Sequence, residues 1–133
     1  MARILVIDDS ATAIEKARST LEKQGHHVSS LHRMIDLAGL LKTDPPELVL
    51  LDLSMPGMSG DAFAKLIKKF APNPIPIVLF SSRSRKELAE KARTLEVDGY
   101  VSKLDPPEQL ALAVERSLAV SQRGSAAHSK GES

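Results

Sequence analysis

Three short, almost uninterrupted apolar runs constrain this chain more than any other feature: Ile4 to Ile7, Leu48 to Leu51, and Ile75 to Phe80, the last broken only by Pro76. A strand with one wet face alternates apolar and polar residues, whereas successive apolar positions require cover on both faces, as in a parallel sheet between helical layers. His27 to Leu31 and Gly99 to Ser102 are weaker strand candidates. Helical spacing fills the intervals. Ile14, Ala17 and Leu21 share a helical face, with Gly25 placed for a left-handed stop. Leu37, Leu40 and Leu41 support a helix from Met34 to Lys42 that Gly39 weakens, and Phe63, Leu66, Ile67 and Phe70 follow the i, i+3, i+4, i+7 pattern. Ser84 and Glu87 form a capping box ahead of Leu88, Ala92 and Leu95. Asp105, Pro106 and Glu108 predict a cap, a first-turn proline and a returning glutamate before Leu110, Val114 and Leu118. The pattern is (βα)5, which predicts an α/β fold: a doubly wound, five-stranded parallel sheet with right-handed crossovers.

At 133 residues the chain has the length of one domain, given roughly 100–200 residues per domain. Residues 1–120 carry the βα pattern, while 121–133, rich in serine and glycine and without large apolar residues, reads as a disordered tail. Lysine plus arginine is 18 and aspartate plus glutamate is 17, so no bulk field favours nucleic acid or an acidic membrane. The absence of cysteine removes disulfides, thiolate metal sites and cysteine nucleophiles together. No segment has a signal peptide's core or the roughly 20 apolar residues of a membrane helix. A cytoplasmic protein is expected.

Ligands of open α/β sheets collect beyond the carboxyl ends of the strands. Following the strands in order, that rim receives Asp8 and Asp9, then Asp52, then Ser81 and Ser82, then Lys103. Three crowded carboxylates against one ammonium call for a proton or a cation. With oxygen ligands only, the cation is a hard one, Mg²⁺ by preference. A carboxylate there can attack phosphorus while metal and lysine neutralise the charge growing on the equatorial oxygens. The rim reads as a site for placing a phosphoryl group on aspartate.

Ile7-Asp8-Asp9, Leu51-Asp52 through Pro56 to Gly60, Phe80-Ser81-Ser82 and Asp98-Gly99-Tyr100 through Lys103 stand in family-like order and spacing. With them the chain resembles the response regulator receiver domains of two-component signalling over about residues 2–120, in a stand-alone, chemotaxis-receiver-like form. The resemblance implies a flavodoxin-like receiver fold with Asp52 as phospho-acceptor. It implies Mg²⁺ bound by Asp9, by Asp8 mainly through water, and by the backbone carbonyl of Ser54. Lys103 and the Ser81 hydroxyl would meet the phosphoryl oxygens. Tyr100 would be a switch aromatic whose ring turns inward as Ser81 moves, altering the face made by the fourth helix, fifth strand and fifth helix. The implied partners are a histidine kinase or phosphotransfer protein upstream and a further protein downstream, the chain being a monomer or a phosphorylation-dependent homodimer. It would be a signalling phospho-acceptor that catalyses its own phosphorylation and dephosphorylation, more than an enzyme with a separate substrate.

Ser54, Ser82 and Arg83 occupy neighbouring positions that vary in the family and should tune phosphoryl lifetime. One departure is plain. The family usually has proline after its lysine, in a cis bond, but here Leu104 follows Lys103. A cis bond without proline costs about 2.5–4 kcal/mol, which predicts a trans Lys103–Leu104 peptide. Met55, Pro56, Gly57 and Gly60 read as loop shape, and His26, His27 and His32 as solvated side chains without a metal framework. Arg85, Lys86 and Lys91 belong to a basic stretch that reads as a solvated helix face or as a surface for an acidic partner. The alternative in a different class is a pseudo-receiver, an interaction module independent of phosphorylation. A haloacid-dehalogenase phosphatase would need an aspartate where Ser54 stands.

Overall fold

A computed structural model describes residues 1–55 and 59–132, with side chains described through residue 121. Strands β1 (Arg3–Ile7), β2 (His27–Leu31), β3 (Leu48–Leu51), β4 (Ile77–Ser81) and β5 (Gly99–Ser102) form one parallel sheet in the order 2-1-3-4-5. This is the flavodoxin-like receiver fold. Between the strands lie α1 (Ala11–Glu22), a 3₁₀ turn at Met34–Asp36 running into α2 (Leu37–Thr43), α3 (Gly60–Phe70) and α4 (Arg85–Leu95). Helix α5 (Pro107–Glu132) follows the last strand.

The apolar runs alternate between two cores. Ile4, Val6, Leu48, Leu50, Val78 and Phe80 pack with Ala17 and Leu21 of α1 and Val114 of α5. Leu5, Ile7, Val49, Leu51, Ile77 and Leu79 pack on the other face with Leu41 of α2, Phe63 and Ile67 of α3, and Leu88 of α4. Two covered faces explain why these strands read as continuous hydrophobic segments.

Local chemistry sets the helix ends. Ser10, Ser59 and Ser84 each accept a backbone N–H in the first turn of the helix that follows. Gly25 has φ +90°, as the stop after α1 requires. Helix α4 ends on Glu96 at φ 56°, a left-handed cap occupied by a side-chain-bearing residue. It is also thinly buried, Leu88 being its one fully buried residue.

Some expectations are corrected. Strand β4 begins at Ile77, because Pro76 has no N–H and the Ile77 N–H instead donates to the Asp98 carboxylate at 2.8 Å. Asp105 does not cap α5. Its carboxylate turns back to the Ser102 N–H at 3.2 Å, and the helix begins at Pro107. Beyond residue 120 the backbone runs on as part of α5 to Glu132. His26 is half-buried, its Nδ1 accepting the Ala2 N–H at 3.0 Å, while His27 and His32 are exposed. Of the loop-shaping residues, Pro56 and Gly57 lie outside the described residues.

Candidate phosphoryl and metal site

The sheet order reverses direction between β1 and β3, the place where such folds open a crevice at the strands' carboxyl ends. Ile7 and Leu51 are register partners, so the next residues, Asp8 and Asp52, emerge side by side. Asp8 is fully buried, Asp52 nearly so, and Asp9 exposed. One carboxylate oxygen from each lies within 4.8 Å of the others.

Each buried acid is oriented by a local backbone N–H. Asp8 Oδ1 accepts from Ser10 at 2.9 Å, tying the acid to the start of α1, and Asp52 Oδ1 accepts from Ser54 at 3.2 Å. Their second oxygens face Lys103, whose Nζ lies 2.7 Å from Asp8 Oδ2 and 3.4 Å from Asp52 Oδ2. The short Asp8 contact is an ion pair outside hydrogen-bond geometry, and Asp8 Oδ2 has no hydrogen-bond partner in its buried position. A buried carboxylate oxygen in that state, with two more carboxylates close by, fits a hard divalent cation of the Mg²⁺ type.

Lys103 arrives through β5. Ser81 and Ser102 are register partners, and the Lys103 N–H donates to the Ser81 carbonyl at 2.9 Å. The fully buried Ser81 hydroxyl accepts a long 3.4 Å bond from the Arg83 N–H, while the Arg83 guanidinium donates from Nε to Ser54 Oγ at 3.0 Å, bridging the loops after β3 and β4. Ser82 is exposed. No cis peptide occurs among the described residues, so Lys103–Leu104 is trans, as the missing proline predicts.

Farther out, Tyr100 is 41% exposed and lines a groove of about 410 Å³ with Arg85, Asp105, Leu112 and Arg116. The cations of α4 are less available than their sequence suggests. Arg85 pairs with Asp105 at 2.8 Å and Lys91 with Asp61 at 3.0 Å, whereas Lys86 is exposed. The Arg85 hydrogen bond holds the Asp105 carboxyl below its ordinary range and raises the guanidinium's own pKa. Sequence reasoning missed Asp61, Asp98 and Asp105 as organising acids, since the long-range partner of each is 20 to 30 residues away with no periodic signal.

Residues 4–115 match the response regulator receiver domain. The chain belongs to that family. Among curated receivers, it is 36% identical over 87 residues to PilH of Pseudomonas aeruginosa, covering 65% of this chain and 72% of PilH. It is 35% identical over 115 residues to the phosphate regulon transcriptional regulatory protein PhoB of Klebsiella pneumoniae, covering 84% of this chain. It spans about half of PhoB's length, 49%. Among solved structures, the chemotaxis protein CheY4 of Vibrio cholerae superposes with a TM-score of 0.76 at 22% identity, covering 88% of this receiver and 98% of that protein, a likeness of fold. The chain is thus a two-component signalling receiver with an acidic metal-binding site, a phospho-acceptor type of domain and not a classical enzyme. Receiver domains interact with histidine kinases. Among the described residues no helix is long and apolar enough to cross a membrane.

Proposed function

We propose that this receiver is a single-domain response regulator, its functional unit at residues 1–120, that accepts a phosphoryl group on Asp52 in the cytoplasm. One observation carries the reading: two buried carboxylates meet a single ammonium at the switch point of the sheet, with an exposed third carboxylate beside them. In the transfer, an Asp52 carboxylate oxygen bonds to phosphorus as the bond from phosphorus to a donor imidazole nitrogen breaks. The imidazole leaves with the electron pair. Asp8, Asp9, Asp52 and the Ser54 carbonyl would hold Mg²⁺, which supplies neutralisation of phosphoryl charge when bound. Lys103 brings a second positive charge to the same oxygens, and the Ser81 hydroxyl is the donor on the opposite loop.

Charge on Asp52 then biases the surface. Drawing Ser81 toward the phosphoryl group vacates space for Tyr100, which turns in from its exposed position and reshapes the α4–β5–α5 face for a downstream protein. The donor is a histidine kinase or phosphotransfer protein. Ser54, Ser82 and Arg83 set the access of water to the acyl phosphate and so its lifetime. Arg85, Lys86 and Lys91 lie on the α4 side, where an acidic partner would dock.

Incubation with acetyl phosphate and Mg²⁺, followed by intact-mass measurement, tests the reading. The expected result is one added phosphoryl group, absent in D52N and after removal of Mg²⁺ with EDTA. If neither acetyl phosphate nor a phosphorylated histidine kinase adds mass, the domain is a pseudo-receiver that binds its partners without phosphorylation.

A further inference from the structure

Lys103 reaches its two carboxylates from a segment that packing does little to hold. Leu104, the next residue, is 80% exposed. No proline stiffens the chain at that position. What fixes the segment is a closed set of hydrogen bonds. Ser102 donates its N–H to Asp105 Oδ2 at 3.2 Å and accepts the Asp105 N–H at its carbonyl at 3.1 Å. The Lys103 N–H goes to Ser81, the Lys103 carbonyl accepts Lys16 Nζ at 2.8 Å, and the Leu104 N–H goes to Ser102 Oγ at 3.0 Å. Every backbone donor from Ser102 to Asp105 is therefore engaged.

Asp105 is the member of this set with reach beyond it. Its side chain is only 16% exposed, and its other oxygen takes the Arg85 guanidinium at 2.8 Å, tying the turn to the start of α4. The Lys16 bond and the Arg85 pair both meet solvent, but only Asp105 also closes the turn's own backbone at Ser102.

We propose that Asp105 is a positioning residue for Lys103: by closing the Ser102–Asp105 turn and bracing it against Arg85 of α4, it fixes the backbone from which the ammonium reaches Asp8 and Asp52. The role rests on the phospho-acceptor reading for its functional consequence, though not for its structural one. The same link makes α4 and the ammonium neighbours through one side chain, so a change at the start of α4 is felt at the site. Asp105 itself touches no reacting atom.

The full chain is compared with D105A, D105N and R85A. Three quantities are measured: the rate of phosphorylation by acetyl phosphate in saturating Mg²⁺, Mg²⁺ affinity by calorimetry, and the Lys103 side-chain ammonium signal by NMR. A misplacement of about 1 Å at a reacting group can cost up to about a hundredfold, so D105A should slow phosphorylation by about tenfold or more. Its Mg²⁺ affinity should hold or rise, because a looser ammonium competes less for Asp8 and Asp52, and the Lys103 ammonium signal should broaden through freer exchange. D105N keeps an oxygen for the Ser102 N–H and should stay near the wild-type rate, with R85A between the two. The proposal is overturned if D105A reacts at the wild-type rate with a sharp Lys103 signal, or if D105A and D105N slow equally. Should the wild type itself take up no phosphoryl group, the phospho-acceptor reading falls, and the NMR comparison alone decides whether Asp105 positions the ammonium.

Discussion

Replacing Asp52 with asparagine should make the metal-free protein more stable and the Mg²⁺-loaded protein less so, relative to wild type. The carboxylate oxygens of Asp8, Asp9 and Asp52 lie within 4.8 Å of one another. At that separation two unit charges repel by about 3.5 kcal/mol at an effective dielectric near 20. Asp52 has two such neighbours. Against them stands one attraction, to Lys103 at 3.4 Å, worth about 5 kcal/mol on the same scale. Unscreened, the two repulsions exceed the attraction by about 2 kcal/mol; Asp9 is exposed, so solvent and salt lower its share, and about 2 kcal/mol is the upper bound of the gain for the neutral side chain. Asparagine also keeps an oxygen for the Ser54 N–H. Urea unfolding followed by circular dichroism, in EDTA and then in Mg²⁺ at matched ionic strength, reads both effects. Wild type should gain about 2.7 kcal/mol when Mg²⁺ stands at a hundred times its dissociation constant, and D52N much less. Raising NaCl should shrink the difference in EDTA. A D52N protein less stable than wild type in EDTA, or stabilised equally by Mg²⁺, would refute the account of the rim as three carboxylates short of a cation.

Two glycines make an opposed pair. A Cβ at Gly60 would lie 2.8 Å from Leu53 Cδ2, 3.0 Å from Leu53 Cα and 3.1 Å from the Asp52 carbonyl oxygen, so G60A should cost about 1–3 kcal/mol and disturb the backbone at Asp52 and Leu53. Nothing lies within 4 Å of a Cβ at the exposed, helical Gly39, so G39A should gain up to about 1 kcal/mol; thermal melting of both variants checks the order. His26 has its pKa lowered by burial and then by the nearby amino terminus, with Glu115 and Glu47 pulling weakly the other way. The unfolded chain therefore binds more protons: the His26 contribution is intact above about 6.5 and is lost as pH falls through that value toward the lowered folded one. In H26N, which keeps an acceptor for Ala2, urea midpoints should depend less on pH across that window. Hydrogen exchange should show α4 amides losing more protection than those of α1 as NaCl rises, since two ion pairs help to hold the less buried helix; equal loss would show that packing alone holds it.

The legible part of the molecule is the part with a period or a position rule. Ile4 through Ile7 read as a strand because both faces are covered, and Phe63 and Ile67 read as a helix because they recur on one side. Asp8, Asp52 and Lys103 could be grouped because residues just past parallel strands share one rim, whatever their separation in sequence. Asp105 misled for a physical reason. An aspartate before two prolines satisfies the rules for a helix cap, yet the same carboxylate can reach back to Ser102 and across to Arg85, and those two partners prevail. Nothing local distinguishes the two outcomes. Arg83 with Ser54 and Lys91 with Asp61 were hidden likewise, being contacts across crossovers with no sequence spacing of their own.

The near-balance of charge, 18 basic against 17 acidic residues, is thus an average over regions with different work to do. Around Asp52 two buried carboxylates and an exposed one stand against a single ammonium, an excess of negative charge that a cation would relieve. Along α4, by contrast, two of the cations that suggest a docking surface are paired within the chain, to Asp105 and Asp61. Exposed pairs contribute only about 0–1 kcal/mol each, but α4 has a single fully buried side chain, so small terms weigh more there than elsewhere in the fold. Reversing the charge at Arg85 would therefore remove a brace of the turn carrying Lys103 as well as a cation from the surface. Lys86, exposed and next to it, separates the two effects: a charge reversal there alters the surface field while leaving the Arg85–Asp105 link in place.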